Sequence, residues 1–318
     1  MIRSEAPALE IAELRKSYGS HEALCGVEFS LRDGERLAFL GPNGAGKTSL
    51  IRVLAGRTRM DQGSIQVFGR PIDSGEARRA FGLVPQDLAL YGDLTTRENL
   101  LAFGRFHGLT GRRLRKRVSW ALEWTGLADR ANDLVAGFSG GMKRRVNLAC
   151  GVLHRPRIIL LDEPTVGVDP QSRHRIFTML DELNEQGASI LLTTHHLDEA
   201  EERSDRIVIL DQGRVIADGT IDQLVAQTVG TSRMIRVRVD RPLKSPVPIP
   251  AFAPGATSLS VGSAGHDQFE TRLEDVTSHL GQLLRAVHES GYRVSDMEVH
   301  APSLHHVFLH LTGNALRD

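Results

Sequence analysis

The chain has 318 residues, which is enough for one large α/β domain and a second, smaller domain. Lys plus Arg and Asp plus Glu balance at 39 each, so net charge neither supports nor excludes a nucleic-acid partner. Two cysteines are too few for a disulfide framework or a cysteine-rich zinc site, and they fit a cytosolic compartment. We expect no signal peptide and no membrane span, because no apolar run approaches roughly 18 residues. Work at a membrane would then require docking onto a partner.

Residues 1–228 alternate short apolar runs with amphipathic helical patterns, which indicates a mostly parallel sheet wrapped by helices. A capping box at residues 95–98 predicts the start of a helix that carries Leu100 and Phe103. The other predicted strands cover residues 36–40, 158–161, 189–194 and 206–210, and the other predicted helices cover residues 48–55, 112–124 and 170–187.

The sequence changes character near residues 229–234, and we expect a second domain over residues 229–318. A strand is predicted over residues 235–239, followed by a Pro/Gly/Ser-rich stretch over residues 242–265. Apolar residues at helical spacing predict a helix from Val276 that stops at Gly291, and a short last helix from Leu304. This pattern is typical of a small α+β accessory domain.

A glycine-rich segment directly follows the first predicted strand and precedes a predicted helix. It matches the complete pattern of a phosphate-binding loop. Its glycines allow backbone N–H groups to turn towards phosphate oxygens, Lys47 would contact the β- and γ-phosphates, and Thr48 would ligate Mg²⁺. A turn that matches by chance is the alternative, but the strand before it and the helix after it favour nucleotide binding. The candidate residues are Gly41, Pro42, Asn43, Gly44, Ala45, Gly46, Lys47, Thr48 and Ser49.

Two acidic residues, Asp162 and Glu163, follow the apolar run at residues 158–161. Open α/β sheets bind ligands at the carboxyl ends of their strands, where Asp162 would hold the Mg²⁺ shell. Glu163 would polarise the attacking water, because it lies one residue beyond the metal ligand. A strand that merely ends in an acidic loop is the alternative, and the phosphate-binding loop argues against it.

A second candidate anion site opens the helix predicted after Phe138. Ser139 fits the N-cap position, and Gly140 and Gly141 expose N–H groups at the positive end of the helix dipole. This segment resembles the signature motif of ABC ATPases. Together with the two preceding motifs, it makes the chain similar to that family over about residues 9–225. It implies an α/β P-loop NTPase core with an antiparallel β subdomain and a helical subdomain. It also implies that two copies pack head to tail, with each ATP between the loop of one and the signature helix of the other.

Four further positions resemble functional positions of that family. Tyr18 is similar to the aromatic residue that stacks on adenine, and Gln86 to the glutamine that senses Mg²⁺ and faces the membrane partner. Asp169 is similar to the loop residue that crosses the dimer interface. His195 is similar to the switch histidine that contacts the γ-phosphate; His196 is the competing choice, and His195 is preferred because it directly follows the Thr-Thr end of a strand.

The signature motif departs from the family pattern at Met142, where glutamine is usual. Met followed by basic residues, and the ending over residues 304–313, are similar to ATPases of drug, antibiotic and polysaccharide exporters. That resemblance implies ATP and Mg²⁺, a separate transmembrane permease, and a peripheral location on the cytoplasmic side of the membrane. Export is favoured over import. A soluble ABC ATPase of DNA repair, chromosome structure or translation is the alternative, and a binding module without hydrolysis is a third; no nucleic-acid partner is expected.

The basic run over residues 112–117 is not explained by these motifs. On an amphipathic helix it indicates a solvated face, with anionic lipid the better of the remaining interpretations.

Overall fold

The computed structural model describes residues 6–230, 233–244, 266–273 and 276–313. Its contacts divide the chain into two compact units between Thr220 and Ile221. This division precedes the expected domain boundary by the length of one short helix, Ile221–Gln227, which contacts the last helix of the second unit. The limits of the two domains stay a prediction. Most of the predicted Pro/Gly/Ser-rich stretch over residues 242–265 lies outside the described residues.

The first unit contains two sheets surrounded by helices, as the sequence predicts. Its strands are β1 Leu9–Tyr18, β2 His21–Leu31, β3 Arg36–Leu40, β4 Gln62–Val67, β5 Arg70–Pro71, β6 Phe81–Val84, β7 Ile158–Asp162, β8 Ser189–Thr194, β9 Arg206–Asp211 and β10 Arg214–Gly219. Its α-helices are α1 Lys47–Leu54, α2 Gly75–Ala80, α3 Thr96–Phe106, α4 Gly111–Trp124, α5 Gly140–Val152, α6 Pro170–Glu185 and α7 Leu197–Arg203. Two short 3₁₀ turns, Ala128–Arg130 and Val135–Gly137, precede α5.

The central sheet has the strand order β10-β9-β3-β8-β7-β6. β9, β3, β8, β7 and β6 are parallel to their neighbours, and β10 is antiparallel to β9. Every residue of β7 and β8 is buried, which explains why each strand contains a continuous apolar run, residues 158–161 and 190–192, rather than an alternating pattern. The carboxyl ends of β6, β7, β8 and β3 therefore lie side by side at one edge of the sheet.

The second sheet of this unit is antiparallel, with the order β2-β1-β4-β5. Its inward positions pack with α1 and the central sheet in one core cluster, to which β1 contributes Leu9, Ile11 and Leu14. This confirms the antiparallel subdomain that the family resemblance implies.

The helical part of the unit consists of α3, α4 and α5. The predicted capping box is present, because Thr95 accepts a hydrogen bond from Glu98 N at 3.2 Å and donates its own N–H to Glu98 at 2.9 Å. α4 buries the apolar face that the sequence predicts, and this face joins α5, α6 and the central sheet in a second core cluster.

The second unit has a small antiparallel sheet of order β12-β11-β13 and its own apolar cluster, which confirms the predicted α+β class. β13 was not predicted, because most of its residues are exposed and carry no apolar alternation. No helix among the described residues has the length and apolar character to cross a membrane. The elements are α8 Ile221–Gln227, β11 Arg233–Val239, β12 Gln268–Leu273, α9 Val276–Glu289, β13 Val294–His300 and α10 Leu304–Thr312.

Candidate functional site

The glycine-rich loop connects the end of β3 to the start of α1, as the sequence predicts. Gly46 has a φ of 111°, and a Cβ atom there would lie 2.4 Å from the carbonyl oxygen of Ala23. A Cβ at Gly41 would lie 2.3 Å from the carbonyl oxygen of Leu210. No side chain caps α1, so the N–H groups of its first turn face the loop without a protein acceptor from a capping residue. This backbone cradle fits a phosphate group.

Lys47, the first residue of α1, is buried within the loop. Its Nζ donates hydrogen bonds to the carbonyl oxygens of Gly41 at 2.7 Å and Pro42 at 3.2 Å, and lies 3.5 Å from Oε1 of Glu163. Burial lowers the pKa of the Lys47 ammonium, and the neighbouring Glu163 carboxylate opposes that effect. The ammonium is thus held at the loop in a place where additional negative charge would stabilise it.

Asp162 ends β7 and is tied to the neighbouring strand. Its Oδ1 accepts a hydrogen bond from the Thr193 hydroxyl at 2.7 Å, and the Thr48 side chain also hydrogen-bonds Asp162. Burial raises the pKa of the Asp162 carboxyl. Carboxylate and hydroxyl oxygens are ligands that Mg²⁺ prefers, so the pair Thr48 and Asp162 fits that ion.

The carboxylate of Glu163 is the point at which the other candidate side chains meet. Gln86 Nε2 donates a hydrogen bond to its Oε2 at 3.1 Å, and Nδ1 of His195 lies 3.2 Å from its Oε1. His196 is instead the N-cap residue of α7, with its backbone N–H bonded to Thr194. The structure therefore brings Lys47, Gln86 and His195 together around Glu163, at the carboxyl ends of four neighbouring strands.

Glu163 itself has a left-handed backbone conformation, with a φ of 47°. Its N–H is fixed by the backbone oxygen of Thr193 at 3.1 Å. A non-glycine residue in this region of φ and ψ is strained, and such residues cluster at functional sites.

The signature segment and the Asp169 loop adjoin each other. Ser139 caps α5 by accepting a hydrogen bond from Met142 N at 3.3 Å, and Asp169 caps α6 by accepting one from Ser172 N at 2.9 Å. A Cβ at Gly141 would lie 2.1 Å from the Ser172 hydroxyl, so the two helix starts are in close contact. Among the described residues, no hydrogen bond or ion pair links Ser139 or Asp169 to the residues around Glu163.

Tyr18 and Met142 are described separately, because neither is among the residues that meet at Glu163 or that form the contact between the two helix starts. Tyr18 is 41 % exposed, with Lys16 Nζ 5.5 Å from its ring centroid. Met142, in the place of the family's glutamine, packs its side chain against the core of the helical part.

Sequence reasoning missed two residues that fix the loops of the site. Arg144, on α5, donates hydrogen bonds to the backbone oxygens of Gln86 and Val166. It thereby joins the signature helix to the segment that carries Gln86. The basic residues after Met142 were visible in the sequence, but nothing in their spacing indicates this contact.

Glu199, on α7, is the second missed residue and is 5 % exposed. Its carboxylate accepts hydrogen bonds from the hydroxyl of Thr165 at 2.7 Å and 3.0 Å, and from that of Thr194 at 3.2 Å. Thr165 lies two residues after Glu163, and Thr194 directly precedes His195. One buried carboxylate thus anchors the two segments that carry Glu163 and His195.

Comparison with known proteins agrees with this geometry. Residues 24–166 match the ABC transporter family. The chain is 37 % identical to a linearmycin resistance ATP-binding protein of Bacillus subtilis, over 98 % of this chain and 100 % of the relative. It is 38 % identical to a daunorubicin resistance ATP-binding protein of Streptomyces coeruleorubidus, over 98 % of this chain and 97 % of the relative.

A third relative is a Nod factor export ATP-binding protein of Ralstonia nicotianae, with 37 % identity over 98 % of this chain and 96 % of the relative. A solved structure described as the ATP-binding subunit of an ABC transporter is also similar, with 35 % identity and a TM-score of 0.64. It covers 69 % of this chain and 92 % of its own length. The similarity to the three relatives spans 98 % of the chain, which contains the phosphate loop, the Asp162–Glu163 strand end and the signature helix. The chain therefore belongs to the ABC transporter family, as one of its ATP-binding, ATP-hydrolysing subunits.

Proposed function

We propose that this chain is the motor of a membrane exporter, and that the pore is formed by separate permease subunits. The observation that carries the proposal is the convergence of Lys47, Gln86 and His195 on Glu163 beside a phosphate cradle. The names of the relatives, which refer to resistance and export, support export over import. No observation favours the alternative of a soluble ABC ATPase in DNA repair, chromosome structure or translation.

In this proposal the loop of residues 41–49 binds the ATP phosphates, and Lys47 turns from its carbonyl partners towards the β- and γ-phosphates. Thr48, Asp162 and Gln86 hold Mg²⁺, which neutralises phosphate charge when it is bound. Tyr18 stacks on adenine with its exposed ring.

Glu163 is the proposed general base. A carboxylate at the strand end, held by Gln86, can orient a water molecule and accept its proton as the water attacks the γ-phosphate. His195 lies beside the same carboxylate and is placed to contact the γ-phosphate. Both residues act only on a nucleotide that already occupies the loop.

The second anion site needs a nucleotide from another copy. Ser139, Gly140 and Gly141 open α5 next to Asp169, and within the described part of one chain no hydrogen bond joins them to the residues around Glu163. In a head-to-tail dimer this helix start would face the γ-phosphate held by the partner's loop. ATP binding would then close the dimer, and hydrolysis would open it.

Exposed apolar side chains near Gln86 support docking onto a permease. Tyr91 and Phe106 are 50 % and 71 % exposed, and both contact Phe103, at ring-centroid distances of 6.2 Å and 5.9 Å. We call these three residues the aromatic surface. Exposed aromatic residues are enriched at protein interfaces, and Tyr91 lies five residues after Gln86, so docking at this surface would act on the segment that also carries Gln86. The chain would then be peripheral, on the cytoplasmic side of the membrane.

The experiment that tests this function is co-purification with the permease. The tagged chain is expressed with its genomic neighbours, and solubilised membranes are searched for a co-purifying protein with several apolar spans. Phe106→Glu should reduce recovery of that protein by roughly tenfold or more, because it places a charge in the aromatic surface. The ATPase rate of the isolated chain should be unchanged.

Ile216→Glu is the matched control, because Ile216 is an exposed apolar residue on β10, away from the aromatic surface. It should leave recovery at the wild-type level. A wild-type chain that brings down no membrane protein would contradict the motor assignment, and a Phe106→Glu chain that docks normally would contradict the surface alone.

Glu199 is a proposed positioning residue for hydrolysis. Glu199→Ala removes the shared acceptor of Thr165 and Thr194, so the segments carrying Glu163 and His195 lose their common anchor. We expect kcat to fall roughly 10- to 100-fold, since small displacements of catalytic groups have effects of this size. The KM for ATP should change by less than about threefold, because the phosphate loop is untouched.

Glu199→Gln provides the control, since its amide oxygen and NH₂ group can still bond both hydroxyls. It should restore most of kcat. Equal losses in kcat for both variants, or a rise in KM that accounts for the whole effect of Glu199→Ala, would contradict the positioning role.

A further inference from the structure

A small cavity lies beside α4 in the helical part, and none of the residues around Glu163 lines it. It has a volume of about 200 Å³ and lies between α4 and the segment that follows α5. Its lining residues are Arg113, Lys116, Arg117, Trp120, Leu153, His154 and Arg155. We call it the basic pocket. Three of its residues, Arg113, Lys116 and Arg117, belong to the basic run over residues 112–117, which the nucleotide-binding motifs do not explain.

The positive charge of the basic pocket is not balanced by acidic residues. In the described ranges, none of its Arg or Lys side chains forms an ion pair with a carboxylate, and Arg117 is bonded to backbone carbonyl oxygens instead. Burial lowers the pKa of the Arg117 guanidinium to about 10, and repulsion from Arg155 and Arg113 adds to the effect. Like charges held close together without counter-charge are unfavourable, so an anion bound among them would be stabilised.

Arg117 is fixed as part of the pocket wall rather than free to move away. Its Nε donates to the backbone oxygen of Leu153 at 2.7 Å, and its Nη2 to that of Val152 at 3.2 Å. Its guanidinium also lies 3.7 Å from the centroid of the Trp120 ring. A buried guanidinium in a set position is already organised for an anion, because little side-chain entropy is lost on binding.

His154 adds an unsatisfied polar atom to the same wall. Its Nε2 bonds the backbone oxygen of Phe81 at 2.8 Å, and its ring stacks on His107 at a centroid distance of 3.9 Å. Its Nδ1 is buried and has no hydrogen-bond partner among the described residues. Because Nε2 carries the proton that it donates to the carbonyl oxygen of Phe81, the buried Nδ1 is an acceptor and cannot bind a phosphate oxygen. Burial lowers the pKa of the His154 ring to about 4, so His154 forms a neutral part of the wall and the attraction for an anion comes from the Arg and Lys side chains.

The shape of the pocket limits the ligand to a small, highly charged group. Trp120 lies between Arg117 and the stacked ring of Trp124, so it offers no open aromatic face to a nucleobase. Several cations around a cavity of about 200 Å³ suit a group with charge and oxygens on all sides. We propose that the basic pocket binds a phosphate group, carried either by a free phosphate anion or by the headgroup of an anionic lipid.

The first arm of the test follows intrinsic fluorescence during titration with inorganic phosphate. Trp120 lines the pocket, and the ring of Trp124 stacks on the ring of Trp120. Since these are the two tryptophans of the chain, the fluorescence signal reports on this site. The titration is performed with the full chain carrying Lys47→Ala, which weakens phosphate binding at the nucleotide loop. We expect a saturable change. The paired substitution Arg113→Gln and Lys116→Gln should weaken apparent affinity about tenfold.

Arg112→Gln with Arg115→Gln is the matched control, since it removes the same charge from the same helix at exposed positions that do not line the basic pocket. It should change affinity by less than about twofold, because exposed charges at a distance are screened by salt. All four substituted residues are exposed, so the native fold should persist in both variants.

The second arm is flotation with vesicles of phosphatidylglycerol and phosphatidylcholine, compared with vesicles of phosphatidylcholine alone. Pocket-dependent phosphate binding without pocket-dependent flotation would identify a free anion as the ligand. Flotation on phosphatidylglycerol that the pocket pair reduces more than the control pair would identify a lipid headgroup. If neither phosphate binding nor flotation is reduced more by the pocket pair than by the control pair, the basic pocket is not a phosphate site.

Discussion

Replacing Glu163 by Gln is expected to reduce steady-state ATP hydrolysis by roughly 10²- to 10⁴-fold, which is the range for loss of a general base. The amide preserves the size of the side chain and an oxygen for Gln86, but it cannot accept a proton from the attacking water. ATP binding should persist, because the phosphate loop is unchanged. A closed dimer that retains ATP should therefore accumulate, and gel filtration with Mg-ATP beside a turnover assay would measure both effects.

The control is Glu185→Gln, which makes the same chemical change at an exposed position at the end of α6. It should leave turnover and elution unchanged. Turnover near the wild-type rate in Glu163→Gln would remove Glu163 from its proposed role and return attention to His195, whose Nδ1 lies 3.2 Å from the same carboxylate.

The second large effect concerns the shared nucleotide sites. If each ATP lies between Lys47 of one copy and Ser139 of the other, Lys47→Ala and Ser139→Arg should each abolish ATP occlusion in a homodimer. In a mixed dimer both lesions fall on the same site, and the opposite site is wild type. Mixing the two inactive variants should therefore restore up to one occluded nucleotide for each mixed dimer.

ATP trapping or a first-turnover assay is the appropriate measurement, because steady turnover requires both sites if they fire together. Co-expression with two different tags secures mixed dimers. Ser139→Arg also removes the cap of α5, which costs about 1 kcal/mol of stability, so its thermal unfolding is measured alongside. Tagged mixed dimers that trap no more ATP than either parent would show that the phosphate loop works within a single chain.

The elements that can be predicted from the sequence are those whose residue pattern is typical of a single kind of structure. The short apolar runs at residues 158–161 and 190–192 are typical of strands buried on both faces, and β7 and β8 are present within one residue of the expected limits. β1, β2 and β4 were not placed individually. β1 pairs with the adjacent β2 and with the more distant β4, and irregular register in both pairings weakens the alternation that would mark these strands.

The residues of the candidate site also divide into those that the sequence predicts and those that it does not. Residues fixed by local backbone demands, such as Gly46 with its φ of 111°, are visible from the motif alone. Glu199 and Arg144 were not visible, because their roles depend on contacts between segments far apart in sequence. A buried carboxylate on a helix of otherwise ordinary acidic residues has no sequence pattern of its own. The basic pocket could not be predicted for the same reason, since three of its seven lining residues follow α5 and the other four lie on α4.

The backbone of Glu163 has a consequence for how this protein can change under selection. Its left-handed conformation costs a non-glycine residue on the order of 1–2 kcal/mol, a cost that glycine avoids and asparagine partly avoids. The gain from such a replacement is opposed by Lys47, because loss of the carboxylate would leave a buried ammonium 3.5 Å away without its counter-charge. A descendant that no longer needed turnover would therefore be expected to lose Glu163 and Lys47 together, since only the joint loss removes the strained backbone without leaving an unpaired buried charge.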